Sequence, residues 1–213
     1  FAGLFQTPLA ATFFALEVLT VGELQLIALY PALIASIVAS FTSHALGLEK
    51  FAVPLKEMLS WTPETLIKVA FLGLAFGLAG KLFAVSLSWL KKTVAKVLPN
   101  PYIRIAVIGA GLSLVLLTFQ LTKVGTYSGL GTNLIDVAFH HGRAQSYDWI
   151  LKLLFTVVTI SAGYQGGEVT PLFAIGATLG VFLAPMLGLP VLVVAAIGYA
   201  SVFGSATTTL LAP

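Results

Sequence analysis

Charged residues are scarce in this sequence, and cysteine is absent from it. Only 9% of the 213 residues are charged, whereas 58% are hydrophobic, and the mean hydropathy is +1.01. Because a soluble globular domain carries charge on about a quarter of its residues, this composition indicates an integral membrane protein. The absence of cysteine excludes disulfides and thiolate metal ligands. The formal net charge of +3 comes without a basic stripe, so nucleic acid is not an expected partner.

Motifs of catalysis and metal binding are also missing. The sequence has no G-x-S-x-G nucleophile motif, no Walker loop and no H-E-x-x-H. His44, His140 and His141 lie near predicted loop ends, and the run HHGR has no acid or cysteine at ligand spacing. We therefore expect a solvated turn at HHGR, flanked by Asp136 and Asp148, and neither a metal site nor a cofactor. An enzyme is not favoured.

Hydrophobic runs, prolines and glycines divide the chain into helices, so the expected fold is all-α. The apolar runs 66–90 and 103–119 are long enough to cross a hydrocarbon core, which takes roughly 20 residues of helix. The last helices look too short to span alone, and broken helices of this kind indicate a transporter or channel. The predicted helices are 8–18, 23–46, 63–97, 101–122, 134–141, 147–161, 169–185 and 191–203.

Two helix starts carry a local signal, and the chain ends carry another. Thr7 before Pro8 predicts a capped first turn, and Thr62 before Pro63 opens the long helix.

The chain begins without an initiator methionine or a basic leader and stops inside an apolar pattern. We therefore expect it to be a piece of a longer protein.

The stretch SAGYQGGEVTP, residues 161–171, places a carboxylate between glycines and a proline. Gly166 and Gly167 allow the backbone to approach a ligand closely. The helix that follows starts at Val169 or Thr170, and its first N–H groups, together with the helix dipole and the Thr170 hydroxyl, suit an anion.

Glu168 has two interpretations. It either caps its helix, where a carboxylate is stabilised by about 0.3–1 kcal/mol, or marks an ion or proton route, as intramembrane acids do by default. Glu17 ends the first predicted helix, and we expect it to make a structural hydrogen bond at the cytoplasmic boundary.

Several segments together resemble the CLC family of chloride channels and anion/proton antiporters. They are AGLFQTPLAATFFALE, NPYIRIAVIGAGL, GTNLI, SAGYQGGEVTPLFAIGATLG and AIGYASVFGSATTTLLAP, and the likeness covers essentially the whole chain. The resemblance implies an inverted-repeat bundle of short, broken and tilted helices. Residues 1–213 would be part of a single transmembrane domain, comprising the second part of the first repeat and most of the second.

Within that family, GGEVTP is similar to the fluoride-exporting branch. The resemblance implies that residues 166–170 bind the anion, that Glu168 couples protons, and that Glu17 and Val18 lie on an inner pathway. Val18 stands where chloride/proton antiporters carry a second glutamate. The expected function is fluoride/proton antiport, with a chloride or other halide channel or transporter as the alternative and a non-transporting membrane scaffold as a third. The resemblance implies a homodimer in the inner (plasma) membrane that crosses the membrane several times. Its implied partners are fluoride or chloride and protons.

The distribution of charge predicts the orientation in the membrane. The connection 91–104 carries three lysines and one arginine without an acid, whereas the loop 47–64 mixes two lysines with three glutamates. Positive residues stay on the cytoplasmic side, so 91–104 is cytoplasmic and 47–64 is external. A cysteine introduced at Lys96 should react with an impermeant reagent only from inside, and one at Lys56 only from outside. The reverse pattern would refute this orientation.

Overall fold

The computed structural model describes residues 1–18, 24–48, 59–60, 62–120 and 127–212. These residues form helices and contain no strand, so the all-α prediction is confirmed for them. A 3-10 turn, Leu26–Ala28, precedes α3, and a π-helical turn, Val137–His141, continues α6. The helices are α1 Ala2–Phe5, α2 Pro8–Glu17, α3 Leu29–Ala45, α4 Pro63–Val97, α5 Pro101–Gln120, α6 Thr132–Asp136, α7 Asp148–Ala162, α8 Val169–Leu187 and α9 Val191–Thr207.

Two threonines were predicted to stand at helix starts, and only one of them caps its helix with its side chain. Thr62 caps α4, because its side-chain oxygen accepts a hydrogen bond from the Thr65 N–H at 3.2 Å. Thr7 occupies the N-cap of α2 without a side-chain cap bond, so that prediction was wrong. Gln6 has a φ of 51° just before it and reverses the chain between α1 and α2. The predicted loop 47–64 lies mostly outside the described residues.

The length of α8 differs from the prediction. It extends over 19 residues with a mean hydropathy of 1.8, which is long and apolar enough to span a membrane, so the expectation that it is too short was wrong. Pro185 lies inside its last turn and Gly188, with a φ of +63°, ends it. A proline so close to the end disturbs little of the helix. The other candidate spans are Leu26–Ala45, Pro63–Val97 and Pro101–Thr118.

The chain divides into two compact units. The first comprises Phe1–Pro54 and Gly204–Pro213, and the second comprises Leu55–Phe203. In the first unit α1 and α2 pack against α3. There the Ser43 hydroxyl donates to the Gly3 carbonyl at 2.5 Å, which fastens α1 to the C-terminal half of α3.

Glu17 joins the two sequence segments of the first unit. Its carboxylate accepts hydrogen bonds at 3.0–3.2 Å from the backbone N–H groups of Leu210, Leu211 and Ala212. Thr208, with a φ of 58°, turns the chain just before these three N–H groups. A carboxylate at the C-terminal end of α2 faces the unfavourable end of the helix dipole, and the three donors offset that cost. The expected structural hydrogen bond of Glu17 is therefore present.

The second unit is built around α8. Twelve residues of α8 are buried, from Pro171 to Ala184. A β-carbon on Gly176 would lie 2.1 Å from the Gly198 carbonyl oxygen, and one on Gly180 would lie 2.6 Å from the Val194 carbonyl oxygen. The backbones of α8 and α9 therefore touch directly, as small residues allow between membrane helices. This contact fixes the position of α8 and hence of its first turn.

We expect Glu17→Gln to lower the stability of the protein. The amide keeps one acceptor oxygen, but its NH₂ group opposes backbone N–H groups and the charge-assisted bonds are lost, which costs about 1–3 kcal/mol. The measurement is the thermal midpoint of the full-length protein in detergent. Glu64→Gln is the matched control, because Glu64 is exposed and pairs only with Lys68 one turn on; its midpoint should stay unchanged. Equal midpoints for Glu17→Gln and wild type would contradict the structural role.

Candidate functional site

The loop between α7 and α8 is fastened at its first residues. Gly163 ends α7 with a φ of +104°, a conformation that favours glycine. The Arg104 side chain donates through Nε to the Ala162 carbonyl at 3.0 Å, and the Tyr164 hydroxyl donates to the Ile105 carbonyl at 3.1 Å. Both bonds reach the first turns of α5, so the loop starts from a fixed point.

The five residues predicted to bind the anion follow this point. Gly166 and Gly167 are exposed in the loop, whereas Glu168, Val169 and Thr170 are half-buried at the start of α8. Val169 and Thr170 carry N–H groups at the first turn, which have no partner within a helix. Pro171 has no N–H, and the Leu172 N–H is the first to pair inside the helix, with the Glu168 carbonyl at 3.1 Å. Backbone donors and the positive end of the helix dipole therefore meet in this turn.

Glu168 occupies the N-cap position, but its side chain does not cap the helix. It makes no side-chain cap hydrogen bond, and it has no ion pair with any residue that the structure describes. The interpretation of Glu168 as a side-chain cap is therefore contradicted. Its carboxylate therefore has no hydrogen-bond or ion-pair partner among the residues that the structure describes.

A cavity of about 320 Å³ opens beside the loop and is lined by Gly166, Gly167 and Pro171. Lys152 of α7 lines the same cavity, although only 1% of this residue is exposed. Its ammonium donates to the Gly129 carbonyl at 2.7 Å and to the Tyr127 carbonyl at 3.2 Å. Lys152 was not among the residues predicted for the site. A lysine inside an otherwise apolar helix was the available signal, because such residues are costly and mark function by default.

Asp148 was expected in a solvated turn, and that expectation was wrong. It is buried, and its carboxylate accepts from the Tyr127 hydroxyl at 2.6 Å and from the Gln145 N–H at 2.7 Å. The turn 127–131 folds over the start of α7 and covers the carboxylate. Burial, and then the hydrogen bond and charge of Asp148, raise the pKa of Tyr127, so its hydroxyl remains protonated and donates.

The remaining polar candidates are surface residues. Asp136 pairs with His140 one turn later, at 2.8 Å between carboxylate oxygen and Nδ1, and both side chains are exposed. His44 and His141 are also exposed. Among the described residues no group of histidines and acids could hold a metal ion.

Glu17 and Val18, predicted for an inner pathway, belong to the first unit. Glu17 is held by the N–H groups of residues 210–212, as described above. Val18 follows it and is 45% exposed, without a carboxylate of its own.

Comparison with known proteins extends over the whole chain. The sequence model of the family described as voltage gated chloride channel matches residues 1–213. The chain is 38% identical over 217 residues to a chloride/fluoride channel protein of Pseudomonas syringae pv. tomato, covering 100% of this chain and 47% of that protein. It is 25% identical over 202 residues to the voltage-gated ClC-type chloride channel ClcB of Salmonella typhimurium, covering 88% and 44%.

One solved structure is similar along the full length of the chain. It is the crystal structure of a CLC-type fluoride/proton antiporter, with 54% identity and a TM-score of 0.95, covering 100% of this chain and 53% of that one. The chain thus spans about half the length of the relatives that it matches. The predicted fold class and the predicted family are both confirmed, and the chain belongs to the voltage gated chloride channel family, the CLC family.

Proposed function

We propose that this chain forms part of the anion pathway of a fluoride/proton antiporter that exports fluoride. The observation that carries the proposal is the start of α8, where a half-buried carboxylate without a cap bond adjoins free backbone donors. The likeness to a fluoride/proton antiporter at 54% identity supports it. Belonging to a channel and transporter family also supports the prediction that the chain is not an enzyme and uses no cofactor.

The donors at this turn suit a small, strongly hydrated anion. Fluoride loses its hydration on entering a membrane protein, so a site must replace that water with several close hydrogen bonds. The candidate donors are the N–H groups of Gly167, Val169 and Thr170 and the Thr170 hydroxyl. Gly166 and Gly167 carry no side chain that would keep the anion away from the backbone. This combination favours fluoride over a larger halide, because a larger halide depends less on donors that approach it closely.

Glu168 supplies the coupling in this proposal. Its ionised carboxylate repels an anion at the first turn of α8, because two like charges would share one small site. Once protonated, the side chain removes that repulsion and admits the anion. A proton and a fluoride therefore influence each other's occupancy, which is the requirement for coupled exchange.

The membrane setting and assembly are further parts of the proposal. We place the protein in the inner (plasma) membrane as a homodimer that binds fluoride and protons. The apolar face of α3 supports contact with lipid or a second subunit, because Tyr30, Ile34 and Phe41 are 76%, 63% and 75% exposed. Single exposed apolar residues are common, but a continuous apolar helix face is typical of an interaction surface.

A chloride channel is the second candidate function. Val18 favours it, since this position lacks the carboxylate of an inner proton station, and one relative is named as a chloride channel. Fluoride and chloride efflux from liposomes, measured with proton uptake, separate the two candidates. Chloride efflux without proton movement would favour the channel, and no flux above protein-free vesicles would favour a scaffold.

Thr170→Val should weaken fluoride binding by about 1–3 kcal/mol, the cost of losing one donor to a charged partner. Valine has the same shape and is compatible with the helix, so the fold should persist. The readout is the fluoride concentration at half-maximal flux. Thr118→Val is the matched control, because its hydroxyl donates only to the Leu114 carbonyl one turn back. Equal values for Thr170→Val and wild type would return Thr170 to a structural role.

Glu168→Gln should abolish fluoride-driven proton uptake. The amide has nearly the same size but cannot ionise, so the proton has no carrier at the first turn of α8. Fluoride movement should then stop, or become a passive leak if the neutral side chain leaves the path open. The measurement is proton uptake into liposomes driven by an outward fluoride gradient, at matched protein content. Unchanged proton uptake in Glu168→Gln would remove the main support for antiport.

A further inference from the structure

Lys152 is a buried cation whose charge is not balanced by an acid in the described part of the chain. It lies in the first half of α7, and only 1% of it is exposed. No carboxylate of a described residue pairs with it. Asp148, one turn before it, is occupied by the Tyr127 hydroxyl and the Gln145 N–H. Taking an ammonium out of water costs several kcal/mol, and neutral carbonyls offset this only in part.

The ammonium also has bonding capacity left over. It carries three hydrogens, and the carbonyls of Gly129 and Tyr127 accept two of them, at 2.7 and 3.2 Å. Lys152 is also one of the residues that line the cavity. Among the described residues that line the cavity, Lys152 is the one with a formal charge. The rest of the wall is mainly apolar, with Leu112, Leu116 and Phe155 among its members.

Packing holds the lysine in place. A β-carbon on Gly131 would lie 2.7 Å from the Lys152 Cε and 3.0 Å from the Ala174 Cβ. The φ of Gly131 is +85°, so this position favours glycine on two counts. Gly131 therefore lies against both the end of the lysine side chain and Ala174 in the second turn of α8. This contact holds the lysine charge near the helix whose first turn is the candidate anion site.

We propose that the cavity beside Gly166 and Gly167 is a second anion site, in which the Lys152 ammonium binds a monovalent halide on its way to or from the first turn of α8. The inference rests on the proposed function and deepens it. The cavity, at about 320 Å³, has room for a halide with part of its water. An anion there supplies the counter-charge that no described residue of the chain supplies, and in apolar surroundings the attraction is stronger than in water.

The two sites have different roles in this proposal, one for the anion and the other for the proton as well. The Lys152 charge attracts anions and repels cations, so the cavity gathers fluoride without offering a place for the coupled proton. The proton then passes only through Glu168, in the adjoining turn. Removing the charge of Lys152 should therefore change the affinity for the anion and leave the ratio of protons to anions unchanged.

The test compares two neutral variants of Lys152 in the full-length protein in liposomes. Lys152→Gln keeps donors for the carbonyls of the turn 127–129 but removes the charge, whereas Lys152→Met removes both. Each should raise the KM for fluoride by about tenfold or more at low salt, with the proton-to-fluoride ratio unchanged. Lys81→Met is the matched control, because Lys81 is an exposed lysine in the middle of α4; its KM should equal that of wild type.

The alternative outcomes each decide a separate point. A wild-type KM in Lys152→Gln, with a raised KM only in Lys152→Met, would overturn the proposal and make Lys152 a positioning residue for the turn. Should neither variant fold, Leu116→Trp fills the cavity from α5 and leaves residue 152 a lysine, and an unchanged KM there would also overturn the proposal. A wild type that carries chloride and not fluoride would refute the proposed function alone, and the same variants would then be compared by their KM for chloride.

Discussion

The direct contact between the backbones of α8 and α9 is the constraint on which the candidate site depends. Gly176 and Gly198 face each other so closely that a single methyl group on either would meet a carbonyl oxygen. In a bilayer, apolar burial gives helices little reason to associate, so close packing of small residues has to hold them. The stacking of Phe173 on Tyr199, with ring centroids 4.0 Å apart, extends this contact toward the start of α8. The glycine loop between α7 and α8 therefore precedes a helix that is held in place by this packing.

Two carboxylates in the chain illustrate opposite solutions to the cost of an acid in apolar surroundings. Glu17 ends its helix and is satisfied by three backbone N–H groups from a segment nearly two hundred residues later. Glu168 begins its helix without a side-chain cap bond. The first arrangement contributes to the fold, because it joins two distant segments of the chain. The second leaves the carboxylate without a hydrogen bond to its own helix, beside the backbone donors of the first turn, and the proposed coupling depends on that arrangement.

Most of what is local in this protein could be predicted from its sequence. Thr62 and Pro63 mark the start of α4, and the glycine loop marks the start of α8 at Val169, because these residues act on their immediate neighbours; the anion site there stays a prediction. The bond from Arg104 to the Ala162 carbonyl joins residues 58 positions apart, and nothing near Arg104 announces it. The burial of Asp148 was missed for the same reason, since the turn that covers it comes from Tyr127. Tertiary contacts determine the burial and the partners of such side chains. A sequence pattern indicates these contacts only where the residues that make them recur at a regular spacing.

The length of α4 has a consequence for the membrane around the protein. Its 35 residues extend about 52 Å, and the apolar part 66–90 alone is about 37 Å long. A typical hydrocarbon core is about 30 Å thick, so the apolar part exceeds it by roughly a quarter. Such an excess is absorbed by tilting the helix or by thickening the bilayer around it. The thickness of the bilayer therefore influences the tilt of α4, and lipids with longer chains reduce the tilt that the helix has to adopt.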